Sequence, residues 1–197
     1  MPSNPRIDGK VALVTGSSRG IGRAIARRLA AAGATVVVTA RSTTAPGSSV
    51  RHGKSHPMAG TLAETVALIE ADGGRAFALP ADLEKVEDCE TLVEHAAEVA
   101  DGLDILVNNA GFADFMPAAD MGLETFERTI SHYLRAPFLL SQAAVRHMRG
   151  AGAGWIVNLG SQDALPPARP FPDHEKVRGY HVYASCKAAL HRLSQGM

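Results

Sequence analysis

The chain has 197 residues, 46% of them hydrophobic, and its 20 Lys plus Arg match its 20 Asp plus Glu. That length and composition fit one domain with a sizeable core, and the balanced charge carries no nucleic-acid footprint. No apolar run approaches the roughly 18 residues of a membrane helix, and the opening MPSNPRIDGK lacks the apolar segment of a secretory signal.

Short β-branched runs alternate with longer amphipathic stretches, which predicts a parallel sheet with helices on both faces. The first strand is Val11 to Val14, apolar throughout and suited to burial on both faces. A helix follows from Ile21 to Ala32, with Ile21, Ala24, Ile25, Leu29 and Ala32 as its expected buried stripe and Gly33 as its stop. Thr35 to Thr39 is the second strand. Ser42 to Gly60, rich in Ser, Gly, Pro and basic residues, reads as a long mobile loop. Leu62 to Ala71 is a helix and Ala76 to Leu79 the third strand. Val86, Cys89, Leu92, Val93 and Ala96 mark the next helix, and Leu103 to Val107 the fourth strand. Leu123 to Met148 reads as one long helix that Pro137 should bend, because proline removes a backbone donor. Trp155 to Leu159 is the fifth strand, Ala164 to Gly179 a proline-rich loop, and a last helix starts near Tyr183. The expected architecture is a doubly wound α/β domain over residues 1–197, with strand order 3-2-1-4-5.

Cys89 and Cys186 make neither a disulfide framework nor a metal spacing, so a reducing cytoplasm is the simplest compartment. His52, His56, His132, His147 and His174 form no zinc motif and are expected at solvated positions.

Between the first strand and first helix stands Thr15-Gly16-Ser17-Ser18-Arg19-Gly20-Ile21-Gly22. A helix N-terminus offers unpaired N–H groups and partial positive charge, and glycines let a pyrophosphate approach the backbone. Gly16, Ser18, Arg19, Gly20, Ile21 and Gly22 are therefore candidate cofactor contacts. An NAD site usually carries an acid at the end of the second strand to hold the ribose 2′-hydroxyl. This chain reads Thr39-Ala40-Arg41 there. Arg41, with Arg19 closing over it, suits a 2′-phosphate and so NADP(H); two solvated surface arginines are the plain alternative.

With these motifs the sequence resembles the short-chain dehydrogenase/reductase family, whose domain is Rossmann-like. Thr15 to Gly22 matches its cofactor turn, Asp82-Leu83 the pair that contacts adenine, and Asn108-Asn109-Ala110-Gly111 the motif ending its fourth strand. Ser161, after Ile156-Val157-Asn158-Leu159-Gly160, matches its catalytic serine, and Tyr183-Ala184-Ser185-Cys186-Lys187 its Tyr-x-x-x-Lys motif. The resemblance spans nearly all of residues 9–197. It implies reversible hydride transfer between a nicotinamide and a carbonyl or alcohol, and a homodimer or homotetramer built on the helices after strands four and five.

Physical chemistry agrees with that implication. Four residues apart on a helix, Tyr183 and Lys187 project about 40° apart around the axis. A free tyrosine has a pKa of about 10, and a nearby ammonium favours its phenolate, so Tyr183 could exchange a proton with substrate near neutral pH. By resemblance, Lys187 also holds the nicotinamide ribose and Ser161 donates a hydrogen bond to the substrate oxygen. Tyr180 lies seven residues before Lys187 and is assigned to the loop. Cys186 reads as a packed thiol.

Three departures from the family pattern stand out. Tyr133 occupies the place of an asparagine that holds a water in a proton relay; its hydroxyl could substitute, or it could simply pack with Phe126 and Ile130. The stretch from Ser161 to Tyr183 is longer than usual and holds Pro166, Pro167, Pro170 and Pro172, a stiff loop at a pocket mouth that Phe112, Phe115 and Phe171 would line. Family members usually continue past the position of Met197 with two more strands and a substrate lid. The expectation is a truncated version whose fifth strand is an open edge, unless a partner chain covers it. The expected activity is NADP-dependent carbonyl reduction or alcohol oxidation on a small molecule, with no metal. A non-catalytic NADP(H)-binding sensor or scaffold is the main rival, and dehydration or epimerisation a second.

Overall fold

Val11–Thr15 offers nothing to water on either side, so it needs cover on both faces. The computed structural model describes residues 6–51, 54–112, 114–165 and 180–197 and gives this run the central place in a sheet. In chain order the elements are β1 (Val11–Thr15), α1 (Gly20–Ala31), β2 (Thr35–Thr39), β3 (Gly47–Arg51), β4 (Lys54–Met58), α2 (Leu62–Ala71) and β5 (Arg75–Ala78). They continue with α3 (Val86–Ala100), β6 (Ile105–Asn108), α4 (Leu123–Ile130), α5 (Ala136–Ala151), β7 (Trp155–Asn158) and α6 (His181–Gly196). The five-stranded sheet runs β5-β2-β1-β6-β7, every neighbouring pair parallel. Counting this sheet's strands alone, that is the expected order 3-2-1-4-5.

Successive side chains of β1 enter different layers, as strand alternation requires. Val11 and Leu13 pack with Leu92 and Val93 of α3 and Leu140 and Ala144 of α5. Ala12 and Val14 pack with Ala26 and Ala30 of α1 and Leu62 and Ile69 of α2. Among the described residues, no helix is long and apolar enough to cross a membrane.

Three sequence readings change. The stripe that α1 buries is Gly22, Ala26 and Ala30, while Ile21 is 68% exposed and Ala24 also faces solvent. Small residues let α1 lie close on the sheet, and they outrank the bulkier apolar positions beside them. Within the long loop expected at 42–60, β3 and β4 pair as an antiparallel hairpin, with Gly47 opposite Met58. Its polar sequence hid strands whose partner is local.

The long helix is interrupted where proline demands it. Pro137 cannot donate to the carbonyl four residues back. A π turn at Ser131–Arg135 absorbs the defect, and the Ala136 N–H bonds to the Ser131 carbonyl five residues back. Among the described residues β7 pairs with β6 alone, and Trp155 and Val157 are about half exposed. Pro166, Pro167, Pro170, Pro172 and Phe171, expected at the pocket mouth, lie outside the described residues.

Candidate active site

The glycine-rich turn is fastened from beneath by buried threonine and serine. Thr15, at the end of β1, donates through Oγ1 to the Val107 carbonyl. The same oxygen accepts the N–H groups of Asn109 and Ala110, both at 3.0 Å. The Asn109 side chain returns an N–H to the Thr15 carbonyl at 2.8 Å. Ser17 Oγ donates to the Val14 carbonyl and accepts the Thr39 N–H, and Thr65 reaches over from α2 to the Ser17 carbonyl. Gly16 has φ +66, which a side chain would strain, and a Cβ there would lie 2.7 Å from Ala110 Cα. A Cβ on Gly22 would lie 2.3 Å from the Gly16 carbonyl oxygen. The turn is thus bare backbone at the start of α1.

This turn borders an open cleft of about 520 Å³ at the C-terminal ends of the strands. Ser18, Arg19, Gly20 and Ile21 line it beside Gly16 and Gly22, and Arg41 and Leu83 line the β2 side. Burial, and secondarily the neighbouring charge of Arg41, pulls the Arg19 pKa down. The two guanidinium groups therefore face one region.

The same cleft runs past Asn109, Ala110 and Gly111 to Tyr183 and Lys187 on α6. Lys187 is 5% exposed and donates to the Leu159 carbonyl at the end of β7. Its Nζ lies 5.9 Å from the Tyr183 ring centre and 4.9 Å from that of Tyr133. Burial lowers the Lys187 pKa. Tyr133 meets Tyr183 edge to face at 4.8 Å. Its hydroxyl accepts the Phe112 N–H at 2.8 Å and donates to the Phe112 carbonyl. Burial pushes the Tyr133 phenol pKa well up.

Residues 10–197 match the family model for short chain dehydrogenase. The chain belongs to the short-chain dehydrogenase/reductase family. An uncharacterized oxidoreductase of Methylorubrum extorquens is 34% identical over 191 residues, 96% of this chain and 66% of that protein. The 3-oxoacyl-[acyl-carrier-protein] reductase of Aquifex aeolicus is 37% identical over 156 residues, 79% of this chain and 57% of that protein. A short chain dehydrogenase from Burkholderia cenocepacia, solved in complex with NADP, superposes with a TM-score of 0.77 at 39% identity. That match covers 97% of this chain and 68% of the solved one. The chain thus spans two thirds or less of the length of these two curated relatives.

Against the family pattern, two expected site residues stand outside the cleft lining. Asp82 accepts the Glu84 N–H within its own turn. Ser161 caps the short helical turn Gln162–Ala164: its hydroxyl accepts the Asp163 N–H and donates to the Asp163 carboxylate. Tyr180 precedes α6, as expected, and stacks on Phe115 at 4.2 Å. Cys186 is buried.

His132 is corrected outright. It is not solvated: its side chain is 13% exposed, lines the cleft and meets Glu84 at 3.1 Å. Burial lowers its pKa, while the hydrogen bond to Glu84 opposes the shift. The helical pattern gave no hint, because the π turn brings both His132 and Tyr133 to the cleft. Sequence reasoning also missed Arg128, which pairs with buried Asp114 at 2.9 Å and lies 4.6 Å over the Phe112 ring. Thr15 heads the turn motif in the sequence, but its hydroxyl carries no role there; the structure makes it the last residue of β1 and the turn's anchor. Its position directly before Gly16 was the available signal.

Proposed function

We propose that this chain binds NADP(H) and transfers a hydride between it and a carbonyl or alcohol substrate. One observation carries the reading: the cleft that begins at the bare glycine turn ends at a phenol and an ammonium on adjacent turns of α6. The residues fit the dinucleotide. Gly16 and Gly22 let the turn pack against Ala110 and Asn109 where a Cβ would collide, and the N–H groups at the α1 N-terminus would receive a phosphate. Arg19 and Arg41 suit a 2′-phosphate, which relieves the repulsion between them. Leu83 would border the adenosine and Lys187 the nicotinamide ribose. The bound cofactor supplies the two electrons as hydride.

In the reducing direction, Tyr183 Oη gives its proton to the substrate oxygen as charge builds there, and in the oxidising direction takes it back. The nearby Lys187 ammonium stabilises the negative charge left on that oxygen. Ser161 donates to the substrate oxygen once it releases Asp163. The exposed Leu123, Phe126 and Phe138 on α4 and α5 suit a homo-oligomer contact.

The test is NADPH consumption against a panel of carbonyl compounds. Tyr183→Phe should lower turnover by about 10²–10⁴-fold, the usual contribution of a positioned acid, while the NADPH dissociation constant stays within about threefold. Equal rates for the two proteins would support a second reading, a non-catalytic NADP(H) binder. The self-capped state of Ser161 favours that alternative.

A further inference from the structure

The geometry points to Tyr133 as a positioning residue whose ring, rather than its hydroxyl, holds the Lys187 ammonium for the Tyr183 proton transfer. This inference rests on the reductase reading for its catalytic consequence, though not for its structural content.

The hydroxyl is already engaged. It accepts from and donates to the backbone of one residue, Phe112, and would have to abandon both bonds to pass a proton toward Lys187. Those bonds do other work: they fix the loop that continues from Asn109 at the end of β6. The ring has the better-placed surface. Lys187 is 5% exposed and Tyr133 is 7% exposed, so the ammonium has been taken from water and needs compensation. On one side the Leu159 carbonyl accepts from it. The Tyr133 ring, 4.9 Å away, offers its electron-rich face, an attraction that grows when the pair is desolvated. The edge-to-face contact at 4.8 Å ties Tyr183 to the same ring. Gly111 makes room for it, since a Cβ there would lie 2.7 Å from Tyr133 Cε1. The π turn at Ser131–Arg135 sets the ring at this place. One aromatic side chain thus spans the ammonium, the reacting phenol and the loop at the end of β6.

The experiment uses the full chain with Tyr133→Phe and Tyr133→Leu, and follows the Lys187 ε-methylene protons by NMR, assigned through Lys187→Arg. An aromatic face shifts them upfield. Tyr133→Phe should keep that shift, and Tyr133→Leu should lose most of it. With NADPH and a turned-over carbonyl, kcat should fall about threefold in Tyr133→Phe and about thirtyfold in Tyr133→Leu, with KM changing less than kcat in both. The inference is overturned if the two variants lose kcat equally, if Tyr133→Leu leaves the resonance in place, or if Tyr133→Phe moves it. Should Tyr133→Leu fail to fold, the resonance and kcat of Tyr133→Phe still decide. Should wild type and Tyr183→Phe consume NADPH alike, the reductase reading fails while the NMR result still decides the role of the ring.

Discussion

The two ends of the cleft are built differently. At the glycine-turn end, Thr15, Ser17 and Thr65 are at most 1% exposed and bond to backbone groups of β1, β2, β6 and the turns between them. That end sits over the middle of the sheet, where β1 has a neighbour on each side. The α6 end sits over β7, which has one neighbour among the described residues and half-exposed Trp155 and Val157. Its serine is satisfied by a residue two positions away rather than by the fold. Buried polar groups joined across strands are costly to disturb, because each loss strands a partner without water. The glycine-turn end is therefore rigid by construction, and the α6 end relies on a few aromatic and ionic contacts on α6 and the π turn.

The severest challenge to this contrast is Gly22→Ala. The new Cβ would lie 2.3 Å from the Gly16 carbonyl oxygen and 2.5 Å from Asn109 Nδ2. The first is backbone held in a fixed turn, so relief requires the turn to move. About 3 kcal/mol of stability should be lost, seen as a melting temperature lower by roughly 10 °C, and NADPH binding should weaken at least tenfold. A variant that melts and binds like wild type would show that the turn yields, and the claimed rigidity would be wrong.

A matched pair of hydroxyl deletions gives a finer comparison. Thr15→Val keeps the shape but strands the Asn109 and Ala110 N–H groups, so about 2 kcal/mol should be lost in denaturant unfolding. Ser161→Ala removes a hydroxyl whose bonds in the fold are both to Asp163, and should cost under about 0.5 kcal/mol of stability. Equal losses would erase the distinction between the two ends.

The same contrast governs what the sequence revealed. The five sheet strands and their order were legible because buried parallel strands are continuous apolar runs and helices separate them. Gly16 and Gly22 were legible because their backbone demands exclude other residues. That Tyr183 and Lys187 share a helix and line one cleft was legible from spacing and resemblance together. What stayed hidden turns on backbone geometry and hydrogen bonding that residue type and period do not encode. The burial of His132 follows from a π turn that the helical period does not encode. Asp82 and Ser161 have the right residue types, but their hydrogen bonds are spent locally. The β3–β4 hairpin is polar and Gly/Ser-rich, so its pattern resembled a loop.

A small predicted effect concerns Arg41, and it separates recognition from rigidity. Arg41 follows β2, at the rim of the rigid end, and is exposed. Its removal should leave the buried network intact, so Arg41→Ala should melt within about 2 °C of wild type. A ligand that presents an anion there gains from its charge. A charge-assisted hydrogen bond at an exposed rim is worth about 1 kcal/mol after screening, so NADPH should weaken about fivefold, and less at high salt. NADH lacks the 2′-phosphate, and its affinity should change by less than twofold. Titrating both cofactors by fluorescence at two salt concentrations gives the answer. Equal weakening of the two would mean that Arg41 supports the turn rather than reading the phosphate, and the rigid end would then extend to its rim.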